Sequence, residues 1–195
     1  MTVTLAKCAG HNLSMSDFVG LVTYPYIKGI LQGALLSGLR EELILEKAGL
    51  SPDLLANLSS TIDGEQFLRL LMAIEQATGD IFMGFMEQPG KFSMMREQNK
   101  ARSQSKSLGE AIRASTQFRE AVRNDVDYSY IVGPEQQEFT MTVHYQLRKG
   151  ASEHVFYWHR LMLIYRYYCW LVGRRIKLSH IAFATPKPDY CLDYQ

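Results

Sequence analysis

The residue types best suited to chemistry in this sequence are arginine, histidine and aromatic side chains that occur together late in the chain. Apolar pockets that bind small molecules contain a few polar groups of this kind. A guanidinium in such a pocket pairs bidentately with a carboxylate, which favours an acidic ligand. The candidate ligand-binding residues are His144, Tyr145, Trp158, Arg160 and Arg166. Core packing or surface exposure remains open as the simpler role for each of them.

The common patterns of catalysis and metal binding do not occur in the sequence. It has no GxSxG nucleophile motif, no GxxxxGK[ST] phosphate loop and no GxGxxG dinucleotide motif. His154 and His159 are five residues apart, which separates them by about 140° on a helix, too far to share a metal ion. We therefore predict no catalytic residue, no metal site and no cofactor. Carboxylate pairs that the fold builds in space leave an unrecognised enzyme open as the less favoured class.

Composition narrows the class of protein further. The chain has 195 residues, of which 47% are hydrophobic, enough to bury a core as a single domain. Cys8, Cys169 and Cys191 are odd in number and far apart, which argues against a disulfide framework and favours a reducing cytoplasm. No signal peptide is evident, and the apolar runs of the late segment are shorter than the roughly 20 residues that span a bilayer. We expect no membrane partner.

The net charge of +1 conceals an uneven distribution. Residues 1–90 contain five Lys and Arg against ten Asp and Glu, whereas residues 91–195 contain sixteen against ten. Residues 91–123 alone hold eight basic and three acidic side chains, which raises the question of nucleic-acid contact. Because these charges are not interleaved with stacking aromatics, a solvated helix face is the favoured interpretation.

A long helix from Ser152 to Ile176 positions most of the candidate residues. Two apolar stripes predict that other elements surround it and that it forms the spine of the core. They consist of Val155, Trp158, Met162, Tyr165, Cys169 and Val172, and of Phe156, Leu163 and Trp170. The remaining side carries His159 and Arg166, with Arg160 nearby. These charges must reach water, an acidic partner or a ligand, because an isolated buried guanidinium is too costly.

Start and stop signals predict a cluster of short helices before residue 123. The Tyr24-Pro25 pair favours a helix start, and Gly38 favours a left-handed stop. Asp63 with Gln66 fits a capping box, and Ser107 with Glu110 fits another. The joints between these helices are tight.

Alternating apolar residues predict a small sheet in the second half. Residues 128–132 and 139–145 alternate on either side of a Gly133-Pro134 turn, which is typical of an antiparallel hairpin, and residues 178–184 form a third strand. The predicted fold is α+β: an N-terminal cluster of short helices, then a small, mainly antiparallel sheet (ββαβ) covered by one long aromatic-rich helix. Three strands are few, so we expect further strands from a continuation of the chain, or an edge covered by a partner chain.

Four short motifs occur in order along the chain. KAGLSPDLL begins at Lys47, the helix stop TGD ends at Asp80, the cap SLGEA begins at Ser107 and the helix exit GRRI ends at Ile176. Together, and over a length from about Tyr26 to the C-terminus, the sequence resembles the N-terminal sensor domain of AraC/XylS-type bacterial transcription regulators, the group with an arabinose-binding-like domain.

The resemblance implies a domain that senses a small-molecule effector and forms a homodimer. In such regulators a DNA-binding domain of two helix-turn-helix units follows, so DNA contact is expected only through a C-terminal domain absent from these 195 residues. Relatives respond to chemically diverse molecules, and the family label is no argument for a sugar. A small acid is favoured as the effector, because arginine and histidine accompany the aromatic residues.

These observations define the expected organisation of the chain. We predict an N-terminal arm over residues 1–25 and a ligand-sensing and dimerisation domain over residues 26–195. The latter has a helical part over residues 26–123 and a ββαβ part over residues 127–185. The effector is expected between the long helix, the hairpin and the helical part. The alternative is a stand-alone small-molecule-binding or protein-interaction domain without a DNA function.

Overall fold

The structure, a computed structural model, describes residues 2–6, 21–133 and 138–186. Within these residues the helices are α1 (Tyr24–Leu36), α2 (Glu41–Lys47), α3 (Gly64–Thr78), α4 (Phe92–Ser103), α5 (Leu108–Val122) and α6 (Glu153–Leu171), with a 3-10 turn over Pro52–Leu55. The strands are β1 (Thr2–Ala6), β2 (Val22–Thr23), β3 (Thr61–Ile62), β4 (Val126–Val132), β5 (Glu138–Tyr145) and β6 (Lys177–Ala182). Helices with small antiparallel sheets confirm the predicted α+β class.

The described residues divide into two units. The sheet unit comprises residues 2–6, 93–133, 138–146 and 157–185, and therefore contains α4, α5, most of α6 and the larger sheet. The helical unit comprises residues 21–92, 147–156 and 186, and contains α1, α2, α3 and the two-stranded pairing of β2 with β3. The first four residues of α6 belong to the helical unit, and the rest of that helix belongs to the sheet unit.

Local capping chemistry fixes the ends of the helices in the helical unit. The amide of Gln66 donates to the Asp63 carboxylate at 2.8 Å, and the Asp63 amide donates to the Gln66 side chain at 2.9 Å. This confirms the predicted capping box at the start of α3. Gly79 ends α3 with φ of 62°, and Gly38 follows α1 with φ of 83°, both in the left-handed region that glycine adopts without strain.

A buried carboxylate organises the loop after α3. Asp80 accepts hydrogen bonds from the backbone amides of Phe82 at 2.9 Å, Gly84 at 2.9 Å and Gly90 at 2.6 Å. These bonds hold the loop so that Phe82 and Phe85 are fully buried in the helical unit. The carboxylate explains why this segment without helix or strand keeps one conformation.

The larger sheet has four strands in the order β4, β5, β1 and β6, and every pairing is antiparallel. The predicted hairpin and third strand are present as β4, β5 and β6, but the predicted arrangement of three strands is not confirmed. The strand β1, which the sequence analysis placed in an arm, lies between β5 and β6. The fourth strand of this sheet therefore comes from the N-terminal residues. The predicted turn at residues 133–134 lies partly outside the described residues.

The helix α6 matches the predicted long helix in its position along the chain, but the side of the helix that is buried differs from the prediction. Phe156 and Cys169 are buried as predicted, whereas Trp170 on the second apolar stripe is 70% exposed. His159 and Arg160, on or beside the predicted polar side, are only 3% and 6% exposed. The polar side of the helix therefore contributes to the interior of the sheet unit.

The helix α4 was not predicted, because it has no apolar stripe. Its buried side chains are Gln98 and Arg102, one helical turn apart. On α5 the buried face continues from Ala111 through Ser115 to Arg119 at intervals of four residues. The interpretation of residues 91–123 as a solvated helix face is therefore wrong for Arg102 and Arg119.

Candidate ligand-binding site

A group of polar side chains is buried in the sheet unit, and we call it the arginine–tyrosine cluster. Side chains from three helices and two strands meet there. The two members on α4 are four residues apart, as are the two on α5, which places each pair on one face of its helix. Its members are Gln98 and Arg102 on α4, Ser115 and Arg119 on α5, Tyr128 on β4, Tyr145 on β5, and Arg160 and Tyr168 on α6.

Arg119 lies at the centre of the cluster and is 5% exposed. Its Nη1 donates to the hydroxyl of Tyr128, and to that of Tyr145 at 3.3 Å. Its Nη2 donates to Oε1 of Gln98 at 3.1 Å. The guanidinium also lies over the Tyr128 ring, with its carbon 4.9 Å from the centroid. Within the described residues the Nε of Arg119 is buried and makes no hydrogen bond.

Arg102 is the second buried cation of the cluster, at 8% exposure. Its Nε donates to the hydroxyl of Ser115, and its guanidinium carbon lies 4.6 Å from the ring centroid of Tyr167. Burial lowers the pKa of Arg102, and the charge of Arg119 also contributes to lowering it. Both guanidiniums nevertheless remain protonated at neutral pH, because arginine cannot be deprotonated in proteins.

The two strand tyrosines are brought together by the register of the hairpin. Tyr128 pairs with Val143, so Tyr145 lies diagonally across from it on the same face. Their hydroxyls are 2.7 Å apart. Burial raises the pKa of Tyr128 well above its ordinary value. Burial also acts to raise the pKa of Tyr145, but the positive charges of Arg160 and Arg119 outweigh it, so that this pKa is lowered.

The cluster differs from an ordinary buried ion pair because its positive charges are not paired with carboxylates of the described side chains. Neither Arg102 nor Arg119 has a carboxylate partner among the side chains described in residues 21–133 and 140–186. Arg123 of the same unit shows the usual arrangement, because its guanidinium pairs through two nitrogens with the buried carboxylate of Asp125. The acceptors that Arg102 and Arg119 use are uncharged hydroxyl and amide oxygens, which compensate a buried cation less well than an anion does.

The structure brings two of the five predicted site residues into the cluster. Tyr145 and Arg160 belong to it, and the two side chains are hydrogen-bonded. The ring of Trp158 lies 5.7 Å from that of Phe183. His144 points to the opposite face of β5, where its side chain is 68% exposed and its Nδ1 lies 3.7 Å from the carboxylate of Asp127.

The remaining predicted residue, Arg166, lies close enough to His159 for its charge to act on that imidazole. Burial lowers the pKa of His159 to about 3, and the charges of Arg160 and Arg166 act in the same direction. His159 is therefore a neutral, buried histidine at physiological pH. The described part of the chain holds no group of three or more His, Cys, Asp or Glu side chains that could bind a metal ion.

Sequence reasoning missed most of the cluster. Gln98, Arg102, Arg119 and Tyr168 were not selected, since polar residues are normally assigned to the surface. One signal was available in the spacing: Ser115 follows the apolar Ala111 by four residues on α5, and Arg119 follows Ser115 by four more on the same face. A charged residue on a predicted buried face is the pattern that could have identified the site.

The comparisons with known proteins assign the chain to a class of regulatory domains that bind small ligands. Residues 38–195 match the family described as the arabinose-binding domain of AraC transcription regulator, N-terminal. The chain belongs to this family, which confirms the resemblance drawn from its motifs. No curated protein and no solved structure matches it. None of the helices in the described residues is long and apolar enough to cross a membrane.

Proposed function

We propose that residues 26–195 form the effector-sensing and dimerisation domain of a cytoplasmic transcription regulator. A small molecule binds at the arginine–tyrosine cluster and controls DNA binding by a C-terminal helix-turn-helix domain of a longer polypeptide. The observation that carries this proposal is the buried Arg119, which is held by uncharged groups in a domain of a ligand-binding family. Buried polar groups that are incompletely satisfied are uncommon, and they concentrate at functional sites.

Binding can regulate only if the effector prefers one of two states of the domain. The position of α4 could differ between two such states, because α4 is attached to α5 through Gln98 and Arg102, which are both members of the cluster. An effector that competes for Arg119 changes the contacts available to Gln98. The orientation or stability of α4 thus reports whether the site is occupied.

The test is an unbiased thermal-shift screen of this chain against a metabolite library, followed by calorimetry of the hits. Conservative changes in the cluster, Tyr145→Phe and Arg160→Gln, are expected to weaken binding of the effector. Arg113→Gln is the matched control, since Arg113 also donates to a tyrosine, Tyr130 at 3.0 Å, but on the exposed side of α5. Hits whose affinity is the same in all variants would remove the cluster from the site.

The DNA role is tested separately with the full-length gene product. We expect the effector to change the affinity of that protein for its promoter in a mobility-shift assay. If the effector binds at the cluster and leaves DNA affinity unchanged, the alternative of a binding domain without a DNA function is supported. Turnover of a hit would instead point to an enzyme.

A further inference from the structure

We infer that the effector is an organic carboxylate whose anionic group is held by the guanidiniums of Arg119 and Arg102. This inference rests on the proposed function, since it names the chemical class of ligand for the same site. Three features of the cluster carry it: the balance of charge, the surplus of hydrogen-bond donors and the aromatic surroundings.

The charge balance is the first feature. Arg119 and Arg102 are 5% and 8% exposed, and no described carboxylate pairs with either of them. Removing a charged group from water is unfavourable unless an opposite charge compensates it. The Arg123–Asp125 pair shows that this unit supplies a carboxylate to another buried arginine. A ligand anion would compensate the buried positive charge of Arg119 as the Asp125 carboxylate compensates that of Arg123.

The second feature is the surplus of donors. A guanidinium has five N–H groups and no acceptor, so a site built around two of them needs acceptors from the ligand. The Nε of Arg119 is buried and donates to no described atom, and its Nη1 and Nη2 donate to uncharged oxygens of Tyr145 and Gln98. A carboxylate in place of these oxygens would accept shorter and roughly twice as strong charge-assisted bonds, and could engage two nitrogens at once.

The aromatic surroundings are the third feature, and they concern the rest of the ligand. The ring of Tyr167 lies 4.6 Å from the guanidinium of Arg102, and the rings of Tyr145 and Tyr157 are 5.8 Å apart beside the Arg119 contacts. Such surfaces favour an apolar or aromatic body over one that carries many hydroxyl groups. A neutral polyol would add donors to a site that already has a surplus of them.

Matched pairs of an acid and its primary amide test the inference directly. The probes are sodium benzoate with benzamide, sodium phenylacetate with phenylacetamide, and sodium hexanoate with hexanamide, with sodium chloride added to the amides to equalise ionic strength. Each pair has nearly the same shape and differs in charge. We expect the acids to raise the melting temperature of this chain at millimolar concentration, by mass action on the folded state, and the amides to leave it unchanged.

Variants then assign the effect to the two arginines. Arg119→Gln and Arg102→Gln are expected to weaken acid binding by about ten- to a hundredfold in calorimetry, the range for a lost charge-assisted contact. Arg119→Lys keeps the charge but loses the planar fork, so its loss of affinity should be intermediate. Arg113→Gln, on the exposed side of the same helix, should bind the acids like the wild type.

The outcomes separate this inference from the proposed function. The carboxylate inference is overturned if the screened effector is neutral or cationic, or if acids and amides stabilise the chain equally. In either case the cluster remains the binding site if Tyr145→Phe weakens binding of the effector. Preference for inorganic phosphate or phenyl phosphate over every carboxylate also overturns it. Effectors that ignore all changes in the cluster overturn the proposed function itself. If Arg119→Gln fails to fold, the comparison of acids with amides on the wild type decides alone.

Discussion

At Arg119 the chain buries a group that stays charged at every physiological pH, and the physical question is what balances that charge. Two tyrosine hydroxyls and one amide oxygen accept hydrogen bonds from its terminal nitrogens. These oxygens carry no net charge, so they compensate the buried cation less well than a carboxylate does. That combination is expected of a binding residue and is unfavourable for a purely structural one.

His159 gives a prediction about pH. Its pKa is lowered from 6.5 to about 3 by burial, with the charges of Arg160 and Arg166 contributing. Above pH 6.5 the folded and unfolded states both carry a neutral imidazole. Between pH 6.5 and 3 the unfolded state binds a proton that the folded state does not, so stability falls as the pH falls.

We expect His159 to remove about 2 kcal/mol of stability between pH 7 and pH 5, through this proton uptake by the unfolded chain. Urea unfolding of the wild type and of His159→Gln at both pH values measures the difference, because the variant lacks the titrating group. His180→Gln, at an exposed position, serves as the control and should follow the wild type. Parallel pH dependence of wild type and His159→Gln would show that the imidazole is accessible to protons in the folded state.

Asp80 gives a prediction about stability. Asp80→Asn replaces one carboxylate oxygen by an NH2 group that must face a backbone N–H of the loop, since both oxygens accept bonds from it. We expect a loss of about 2 to 3 kcal/mol in the free energy of unfolding, the cost of leaving a buried charge-assisted donor unsatisfied. Asp53→Asn is the control, because Asp53 is exposed and should change stability by less than about 0.5 kcal/mol. Equal stabilities in guanidinium unfolding would contradict this role of Asp80.

At the scale of elements, α4 is attached to the rest of the sheet unit mainly by polar contacts. Its buried side chains are Gln98 and Arg102, whereas α5 buries Ala111 and Ile112 among others. Helices gain most of their stability from apolar packing, so α4 is the weaker of the two. We expect its amides to exchange with deuterium faster than those of α5 in the ligand-free chain.

A carboxylate at Arg119 and Arg102 should also change the exchange of α4 more than that of α5, because Gln98 and Arg102 lie on α4. Hydrogen exchange followed by mass spectrometry, with and without sodium benzoate, measures both differences. Identical protection of α4 and α5 in the free chain would contradict the polar attachment of α4. A change confined to α5 would contradict the assignment of α4 as the responding element.

The packing of α1 depends on the absence of a side chain at Gly33. A Cβ at this position would lie 2.3 Å from the carbonyl oxygen of Met83 and 2.4 Å from the ring of Phe85. Gly33→Ala therefore forces the helix away from the loop, and we expect it to lose about 1 to 3 kcal/mol of stability, as overpacked cores do. Urea unfolding followed by circular dichroism measures the change.

Gly109 provides the matched control for that substitution. It lies in the first turn of α5, and a Cβ there meets nothing within 4 Å. Gly109→Ala should be neutral or stabilise the protein by up to about 1 kcal/mol, because alanine loses less backbone entropy than glycine on entering a helix. A destabilisation by both substitutions to the same extent would show that the contact with Met83 and Phe85 does not account for the loss at Gly33.

At the scale of the whole molecule, the proposed dimer needs a surface that one chain leaves exposed. The strand β4 is at one edge of the larger sheet, and Ile131 and Val132 on it are 69% and 42% exposed. Edge strands with apolar side chains readily pair with other chains unless they are covered. We therefore propose β4 as part of the dimer contact.

Light scattering tests this proposal. We expect the chain to have twice its mass of 22.3 kDa at micromolar concentration, and Ile131→Lys to shift it toward the monomer. Leu58→Lys is the control, since Leu58 is 76% exposed in the helical unit and should leave the mass unchanged. A monomeric wild type would remove dimerisation from the proposed function, and a dimer that Ile131→Lys does not weaken would place the contact elsewhere.

Much of the fold follows from local sequence. Capping at Asp63 and Gln66, the glycine stop at Gly79 and the alternation that buries Met141, Val143 and Tyr145 depend on neighbours within a few residues, and each is present in the structure. The strand β1 could not be predicted in this way. Its hydrogen-bonding partners, in β5 and β6, are more than a hundred residues away along the chain, and five residues carry little pattern of their own.

The sequence alone thus determined the family, the α+β class and the aromatic helix with its arginines, because short motifs and apolar periodicity are properties of adjacent residues. Only the tertiary structure decided which arginines are buried. Burial of Arg102 and Arg119 results from the meeting of α4, α5 and the hairpin, and the free energy of a charge depends on what surrounds it in space. Apart from the spacing of Ser115 and Arg119 on α5, the local sequence carries little information about that environment. Residues 91–123, which were interpreted as a solvated helix face, therefore contain the centre of the proposed site.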